Sequence, residues 1–565
     1  MFPLSVLAFN LSHLRHQHSP SPYVSFIMAT FLDLPNELRL LIAKDLVPKT
    51  LLSLILTCHS FHTTYLPCLW SDISAAISFK VKPISLEHIR KHAHLIQTIR
   101  LHAKLPGGYY GVLFPRLRSV QLDSHFLLEH LVTKKEEHVK VEEKIKFLRT
   151  HSMIGVRKLV VNHKSGLPRE FWEVVEGGWE GLDTLGVSRV VVEEGAVGSF
   201  WRVCDRIQSL HLTGVSLPES NPFGTVLSTL SFKRLKNLTM KGYMKQSKEF
   251  HKAWPQEMLE QAKRGAEGLR RINWDVADVG FPVRMVLDAF AEGCWPELCE
   301  LSIGDAMTCP DGNMAQILRS LPSKRLTFFE PMNDAFGPLT NTCLKEMYFG
   351  HLTNLAFGDS SGCTSVMVQE VLAECVNLAE LDAPYITVRD IAKATKPWGC
   401  RGLYKLVVYI AKADGEEAEA EAEEWEGKVF EQIGRMRGLQ VLDLSRDPYS
   451  FRVLGRMSSF LNFDSLDLRI GNSIDNSNGN SNSNRSNGSH WGRGSDIRYW
   501  SSLMQMRIFS FDGDGQRLGM DEARWMVEHW RELKCISGAF NGVEGDECGL
   551  LDRLFLERDI SFYYE

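Results

Sequence analysis

The chain has 565 residues, of which 44% are hydrophobic and 24% charged, a composition typical of globular rather than disordered proteins. Its formal net charge of −5, without any Lys/Arg block, does not favour nucleic acid or an anionic membrane surface as a partner. No run of ~18 apolar residues occurs, so no membrane-spanning segment is expected.

The 12 cysteines include no Cys-x-x-Cys pair, and the closest approach to one is Cys294 and Cys299. A zinc ribbon needs two close pairs, so neither a metal nor another cofactor is expected. Reduced, mostly buried thiols of this kind are typical of a cytoplasmic or nuclear protein.

The first 27 residues carry an apolar run but no basic region before it, and Asn10, Ser12 and His13 interrupt the run. This pattern does not favour a secretory signal. We expect residues 1–27 to form a disordered tail, or an extension upstream of a true start at Met28.

The segment 31–70 is rich in leucine and has helical periodicity. Pro35 suits the first turn of a helix, and Pro48 should end that helix. Residues 50–57 are nearly all apolar, which predicts a buried helix. Phe61, Tyr65 and Leu69 form a third stripe with a spacing of four residues. Three helices in so few residues make a small core, so a partner or a neighbouring domain should support them.

Within this segment, Leu34-Pro35-x-Glu37-Leu38 begins a pattern that continues to Pro67-x-Leu69-Trp70. The pattern resembles an F-box over about 40 residues and places that domain at 28–75. The resemblance implies that the helices bind a Skp-type adaptor, which joins a cullin scaffold and a RING subunit in a ubiquitin ligase. The residues that it assigns to adaptor contact or its immediate support are Leu34, Pro35, Leu38, Ile42, Leu46, Leu51, Leu54, Cys58 and Trp70.

After the F-box-like segment, the apolar hexad L-x-x-L-x-L recurs with a mean step of about 29 residues, which is in the range of leucine-rich repeats. The hexads begin at Ile96, Leu117, Val156, Leu182, Ile207, Leu235, Leu269, Leu298, Ser323, Leu352, Leu378, Leu403, Leu439, Phe463, Leu503 and Leu533. Each hexad predicts a strand, and the stretches between hexads predict loops and helices, for example SVMVQEVLAECVNL before Leu378. One unit cannot bury both of its faces, so the units must stack.

The sequence therefore resembles an F-box protein with leucine-rich repeats. We expect an α/β chain in which a short three-helix F-box precedes an irregular solenoid over 76–565, with a parallel sheet on its concave side. Two segments interrupt the repeats. Residues 415–428 are acidic and predict a solvated helix face or loop, and residues 471–495 are Asn/Ser/Gly-rich and predict a disordered insertion.

The third and fifth residues of each hexad should point outward from the strand, onto the face that a protein partner would contact. Read in chain order, these positions are basic in the earlier hexads and acidic in the later ones, with Lys405 and Arg507 as exceptions. This gradient predicts the substrate-binding residues Arg100, Lys158, Arg271, Arg325, Glu380, Asp382, Asp443 and Asp467. The alternative is that these charges only keep the sheet soluble.

Enzymatic signals are weak. The segment 358–362 satisfies G-x-S-x-G and would make Ser360 a nucleophile, but Gly/Ser loops are ordinary in strand–loop–helix repeats. An EF-hand loop at Asp512 fails because Arg517 and Ala523 occupy its required Gly and Glu positions. His92 and His94 have no acidic or thiol partner to complete a metal site.

The sequence thus predicts a non-catalytic substrate receptor of an SCF-type ubiquitin ligase, whose repeats bind a protein substrate. The alternative is a repeat scaffold that binds the adaptor for non-degradative assembly. A more distant alternative is an enzyme that uses Ser360.

Overall fold

The structure is a computed structural model. It describes residues 33–44, 46, 48–73, 84–101, 107–123, 141–151, 155–163, 166–218, 222–223, 226, 229–242, 254–276, 280–304, 309–331, 335–358, 360–411, 425, 427–445, 497–511, 520–538 and 546–563.

After the first three α-helices, the α-helices of the described residues are interspersed with strands. They are α1 Asn36–Lys44, α2 Pro48–Ile55, α3 His59–Ser71, α4 Leu86–His92, α5 Val141–His151, α6 Arg169–Gly178, α7 Val197–Asp205, α8 Trp254–Gly265, α9 Val283–Ala291, α10 Asp311–Ser320, α11 Pro338–Met347, α12 Ser365–Glu374, α13 Val388–Lys393, α14 427–434, α15 Met520–His529 and α16 Asp546–Glu557.

The strands of the described residues are short. They are β1 Thr98–Leu101, β2 Ser119–Leu122, β3 Lys158–Asn162, β4 Gly166–Leu167, β5 Thr184–Ser188, β6 Val191–Val192, β7 Ser209–Thr213, β8 Asn237–Lys241, β9 Arg271–Asp275, β10 Glu300–Ile303, β11 Phe328–Pro331, β12 Asn354–Ala356, β13 Glu380–Thr387, β14 Lys405–Ala411, β15 Val441–Leu444, β16 Ile508–Phe511, β17 Cys535–Ser537 and β18 Ser561–Tyr563.

The chain divides into two compact units. The first comprises residues 1–235 and 244–265, and the second comprises 236–243 and 266–565. In the first unit the strands follow the order β1-β2-β3-β5-β7, with β4 and β6 paired beside them, and in the second they run from β8 to β18 in chain order. Within each unit, the strand pairings of the described residues are parallel. These features confirm the predicted α/β class with a parallel sheet.

The hexads explain both the strands and the core. In β1 the burial alternates so that Ile99 and Leu101 are buried while Thr98 and Arg100 are only partly covered. The first hexad residue, Ile96, is also fully buried just before the strand. The same three apolar positions are buried in repeat after repeat. This burial holds the repeats together, because parallel strands are stable when helices cover the sheet. The predicted helix before Leu378 is confirmed as α12.

A second regularity lies at the amino ends of the strands. The carbonyl of Gln97, the residue before β1, accepts hydrogen bonds from the N–H groups of Arg118 (2.8 Å) and Ser119 (2.9 Å). The carbonyl of Arg270, before β9, does the same for Cys299 and Glu300 in the second unit. We call a residue in this position, immediately before a strand, a rung residue. Successive rung residues are therefore aligned at the spacing of neighbouring strands, about 4.8 Å.

Two predicted hexads were placed three residues too early. Leu301 of β10 pairs with Phe329, so the hexad of β11 is Leu326-Phe329-Pro331 rather than the one from Ser323. Leu442 of β15 likewise pairs with Phe509, so the hexad of β16 begins at Met506 rather than Leu503. In both places apolar residues recur every three residues, so the motif fits the sequence in two registers and only strand pairing decides between them.

The repeat prediction was also incomplete near the C-terminus of the chain. β15 pairs directly with β16, and the notional hexad from Phe463 falls between these two strands in the sequence. That hexad, the predicted tail 1–27 and the predicted insertion 471–495 lie outside the described residues. The sequence also missed β18, in which Phe562 pairs with Ile536. There the first hexad position is Asp559, which has a φ of +59°, so the apolar pattern is broken.

The acidic segment 415–428 is described only at its end. Trp425 is buried, and the ammonium of Lys393 lies 5.7 Å from the centre of its ring. Residues 427–434 then form α14. The end of this segment therefore packs into the repeats, which the prediction of a solvated segment did not anticipate.

Candidate functional site

The first three helices form a small core of their own. Its buried members come from all three helices and are Ala43, Leu51, Leu54, Ile55, Phe61 and Tyr65. Leu46, Cys58, Cys68 and Leu69 pack against this cluster and are partly buried. The predicted stripe on the third helix is therefore confirmed in its first two members, Phe61 and Tyr65.

Three leucines on α1 and α2, and a fourth directly after α2, remain outside this core. The exposed fractions are 47% for Leu38, 57% for Leu41, 48% for Leu52 and 64% for Leu56. Leu38 and Leu41 are three residues apart and Leu52 and Leu56 four apart, so each pair shares one helix face. We call these four side chains the exposed leucines. They show that the expectation of a wholly buried helix over 50–57 was wrong, because that helix buries only one of its two apolar faces.

The structure divides the residues assigned to adaptor binding into three groups. Leu51 and Leu54 belong to the core, whereas Pro35 and Leu38 are exposed. The others, which are half-buried, are Leu34, Ile42, Leu46, Cys58 and Trp70. Sequence reasoning missed the other three exposed leucines, because the helical spacing identifies an apolar position but does not say which face the neighbouring helices cover.

The charges predicted on the outward strand face are largely paired with their neighbours. Arg100 Nε lies 2.8 Å from a carboxylate oxygen of Asp123 at the end of the next strand. Lys158 on β3 is exposed, and its side chain has no ion-pair partner among the described residues. The basic end of the predicted gradient is therefore partly neutralised.

Arg271 contacts side chains on both of the strands that follow β9. Its Nε lies 3.3 Å from Glu300 Oε2 on β10, and its guanidinium carbon lies 4.9 Å from the centre of the Phe328 ring on β11. Beside it, the hydroxyl of Ser302 donates a hydrogen bond of 2.6 Å to Glu330. Glu300, Phe328 and Glu330 were not predicted to contribute, although the corrected register of β11 would have placed the last two on this face.

Arg325 does not lie on the outward face. It precedes β11 by three residues, and the outward positions of that strand belong to Phe328 and Glu330. The assignment of Arg325 to the face is wrong because it depended on the hexad from Ser323. Asp467, another predicted face residue, lies outside the described residues.

The acidic members of the predicted face lie on β13 and β15. Glu380 accepts a hydrogen bond from the hydroxyl of Tyr404, and Lys405 Nζ lies 4.0 Å from its other carboxylate oxygen. Asp382 is the next outward residue of β13. Asp443 accepts hydrogen bonds from the backbone and the hydroxyl of Ser445, at 3.0 and 2.6 Å. Glu380 and Asp443 are thus held in position by their neighbours.

Ser360 does not have the surroundings of a nucleophile. Its side chain is 1% exposed, and its hydroxyl has no hydrogen-bond partner in the described part of the chain. The loop is tight, since a Cβ on Gly362 would lie 2.8 Å from the carbonyl oxygen of Phe336. A nucleophilic serine needs a base within hydrogen-bond reach and access to substrate. Neither is found at Ser360, so the G-x-S-x-G match reflects a packed loop.

No protein-family model matches the sequence, and neither does any curated protein. Among solved structures, a leucine-rich-repeat protein of Leptospira interrogans is 12% identical, covers 85% of this chain and 99% of its own, and has a TM-score of 0.35. An internalin of Listeria monocytogenes is 11% identical, covers 76% and 84%, and scores 0.31. A yeast complex of Rad7 and Elc1 is 12% identical, covers 53% and 84%, and scores 0.33. The repeat architecture therefore rests on the strand register described above and not on these distant likenesses.

Among the described residues, no group of three or more His, Cys, Asp or Glu side chains is arranged to hold a metal ion. The same residues include no helix that is both long and apolar enough to cross a membrane. The cysteines in this part of the chain are free thiols.

Proposed function

We propose that this chain is the substrate-recognition subunit of an SCF-type ubiquitin ligase. In this proposal the N-terminal helices bind a Skp-type adaptor, which links the chain to a cullin and a RING subunit. The repeats bind the protein substrate, and the chain itself performs no chemistry. The observation that carries the proposal is the exposure of four leucines, three on the first two helices and one directly after the second, in a motif whose sequence resembles an F-box.

The exposed leucines supply the binding energy in this proposal. Full burial of one leucine stabilises an association by about 1.5–3 kcal/mol. Leu38, Leu41, Leu52 and Leu56 are about half exposed, so a protein that covers both helix faces gains from all four. The core beneath them, around Phe61 and Tyr65, keeps the helices in place without the partner.

The outward strand face is the proposed surface for the substrate. Its remaining predicted contacts are Arg100, Lys158, Arg271, Glu380, Asp382 and Asp443, and the acidic end of the gradient on β13 and β15 stays part of the proposal. Complementary charges at such a surface speed association and select the partner. The ion pairs and hydrogen bonds of Arg271 and Glu380 already order these side chains, which lowers the conformational entropy that is lost on binding.

The proposal is tested by co-expression of the full chain with a Skp-type adaptor, a cullin and a RING subunit. A stable complex of all four proteins, lost in the double variant Leu34→Ala/Pro35→Ala, is the expected result. Adaptor binding without the cullin would support the alternative of a non-degradative scaffold. Failure of the wild-type chain to bind the adaptor would overturn both.

A further inference from the structure

A groove of 790 Å³ lies in the first unit, at the amino ends of its strands. Its wall contains five consecutive rung residues, which the backbone hydrogen bonds set in one row. Along that row stand Gln97, Arg118, Arg157, Asp183 and Gln208. The row spans four strand intervals, or roughly 19 Å at about 4.8 Å per interval.

Asp183 organises one half of the groove. Its Oδ1 accepts hydrogen bonds from Arg234 Nη2 at 2.9 Å and from Gln208 Nε2 at 3.1 Å. Arg157 Nη1 lies 3.7 Å from Asp183 Oδ2. One carboxylate thus holds two guanidinium groups at the groove and leaves most of their N–H groups facing solvent.

The other half of the groove is basic without any counter-charge. Arg116 and Arg118 line it, are exposed, and have no ion-pair partner among the described residues. The four lining arginines and the single Asp183 leave a local charge of +3, in a chain whose net charge is −5. In the second unit the rung residue Arg270 differs, because it is bound by Glu297 at 2.7 Å.

We propose that this arginine groove binds an extended, carboxylate-rich peptide segment of a protein partner. Guanidinium groups bind carboxylates through paired, charge-assisted hydrogen bonds. At about 3.3 Å per residue, the row of rung residues accommodates about six extended residues. The glutamines at its two ends can donate to and accept from the peptide backbone.

The groove favours a peptide over nucleic acid. Single-stranded nucleic acid is held by aromatic side chains that stack on its bases, in addition to basic ones. The ten residues that line this groove include no aromatic side chain. A simple inorganic anion would occupy only a small part of a groove of this length.

The assignment of the peptide to a ubiquitination substrate rests on the proposed function. The binding of the peptide itself does not, because the groove is separate from α1–α3 in sequence and its test needs no adaptor. Failure of one proposal is therefore distinguishable from failure of the other.

The test is a fluorescence-polarisation titration of labelled hexaglutamate with the full chain at low salt. Wild type should bind the peptide, and Arg116→Ala/Arg118→Ala should weaken binding by about tenfold or more, since hydrogen bonds between charged groups are lost. Arg270→Ala is the matched control, because it removes a rung arginine outside the groove and should leave binding unchanged. Gly181→Leu, whose Cβ meets no atom closer than 3.9 Å, should block the groove without a change of charge.

Three outcomes would overturn the proposal. The first is that hexaglutamate does not bind wild type, or binds the double arginine variant equally well. The second is that a deoxythymidine hexamer binds more tightly than hexaglutamate and loses that affinity in the double variant. The third is that inorganic phosphate displaces the peptide at an equal concentration, which would make the groove a general anion site.

Discussion

The indole of Trp70 stacks on the imidazole of His92, with ring centroids 4.3 Å apart and planes inclined by 24°. This contact joins the end of α3 to the end of α4. Close by, the N–H of Gln97 donates to the carbonyl of Ser71 at 2.8 Å. The N-terminal helices therefore contact the start of the repeats through Trp70 and Ser71, at the end of the F-box-like pattern.

The stacking predicts that Trp70 supports the three N-terminal helices rather than contacting the proposed adaptor. Trp70→Ala should raise hydrogen exchange in α1–α3, because stacked aromatic pairs contribute about 0.5–1.5 kcal/mol beyond their buried area. Trp70→Phe should restore most of the protection. If the alanine variant lost adaptor binding while the exchange rates stayed at their wild-type values, Trp70 would be a direct contact instead.

The exposed leucines should dominate adaptor affinity. Leu52→Ala/Leu56→Ala should weaken adaptor binding by about 2 kcal/mol or more, as is typical for anchors that a partner buries. Thermal unfolding should change little, since both side chains are outside the core. Leu113→Ala is the control, because Leu113 is 54% exposed but belongs to another part of the first unit. Equal affinities of the double variant and the control, measured by calorimetry, would exclude these leucines as contacts.

His151 should make stability depend on pH. Its Nε2 accepts a hydrogen bond from the N–H of Phe114 at 3.1 Å, so the proton is on Nδ1, which donates to the carbonyl of Phe147 at 2.8 Å. Burial lowers the pKa of His151 below the ordinary histidine value, against the opposing effect of the Phe147 carbonyl. The unfolded chain therefore takes up a proton before the folded chain does. Stability is retained above the ordinary pKa and is lost as the pH falls below it.

The measurement for His151 is the unfolding midpoint at about pH 7.5 and 5.5, on either side of the ordinary histidine pKa. His151→Phe should flatten this dependence, even though it loses the hydrogen bond to Phe114. His351→Gln, at an exposed position, should leave the dependence as in wild type. An identical pH dependence in wild type and His151→Phe would refute the prediction.

Arg271 and Glu300 should be coupled across β9 and β10. Opposite charges on neighbouring strands contribute about 0.2–1 kcal/mol, and like charges destabilise by similar amounts. Arg271→Glu and Glu300→Arg should each lower the free energy of unfolding, and the exchanged double variant should recover most of the loss. A double variant whose loss equals the sum of the two single losses would show that the side chains do not interact.

The hydroxyl of Ser360 should be dispensable for the stability of the fold. Because its buried hydroxyl has no hydrogen-bond partner among the described residues, Ser360→Ala should leave stability unchanged or raise it by up to about 1 kcal/mol. The matched control is Ser302→Ala, which removes a buried hydroxyl that donates to Glu330 and should cost about 1 kcal/mol. A loss at Ser360 as large as that at Ser302 would reveal a bond that the packed loop does not show.

The repeats were readable from the sequence because their periodicity is a local property. A strand that buries its apolar side must alternate, so Ile96, Ile99 and Leu101 identify β1 without any knowledge of what they touch. The helical spacing of Phe61 and Tyr65 identified α3 for the same reason. The class of fold needed nothing more than these patterns.

Other properties of this protein depend on which residues of different repeats and helices contact each other, and only the tertiary structure decided them. Strand pairing placed Phe329 and Phe509, not Leu326 and Met506, in the centre of their strands. Helix packing decided that Leu51 is buried while Leu52 is exposed, although both belong to one apolar run. The arginine groove arises in the same way. Backbone hydrogen bonds between successive repeats bring Arg118 and Arg157, which are far apart in sequence, to adjacent rung positions. Local spacing determines which residues form strands and helices, whereas contacts between distant residues determine which side chains are left to bind a partner.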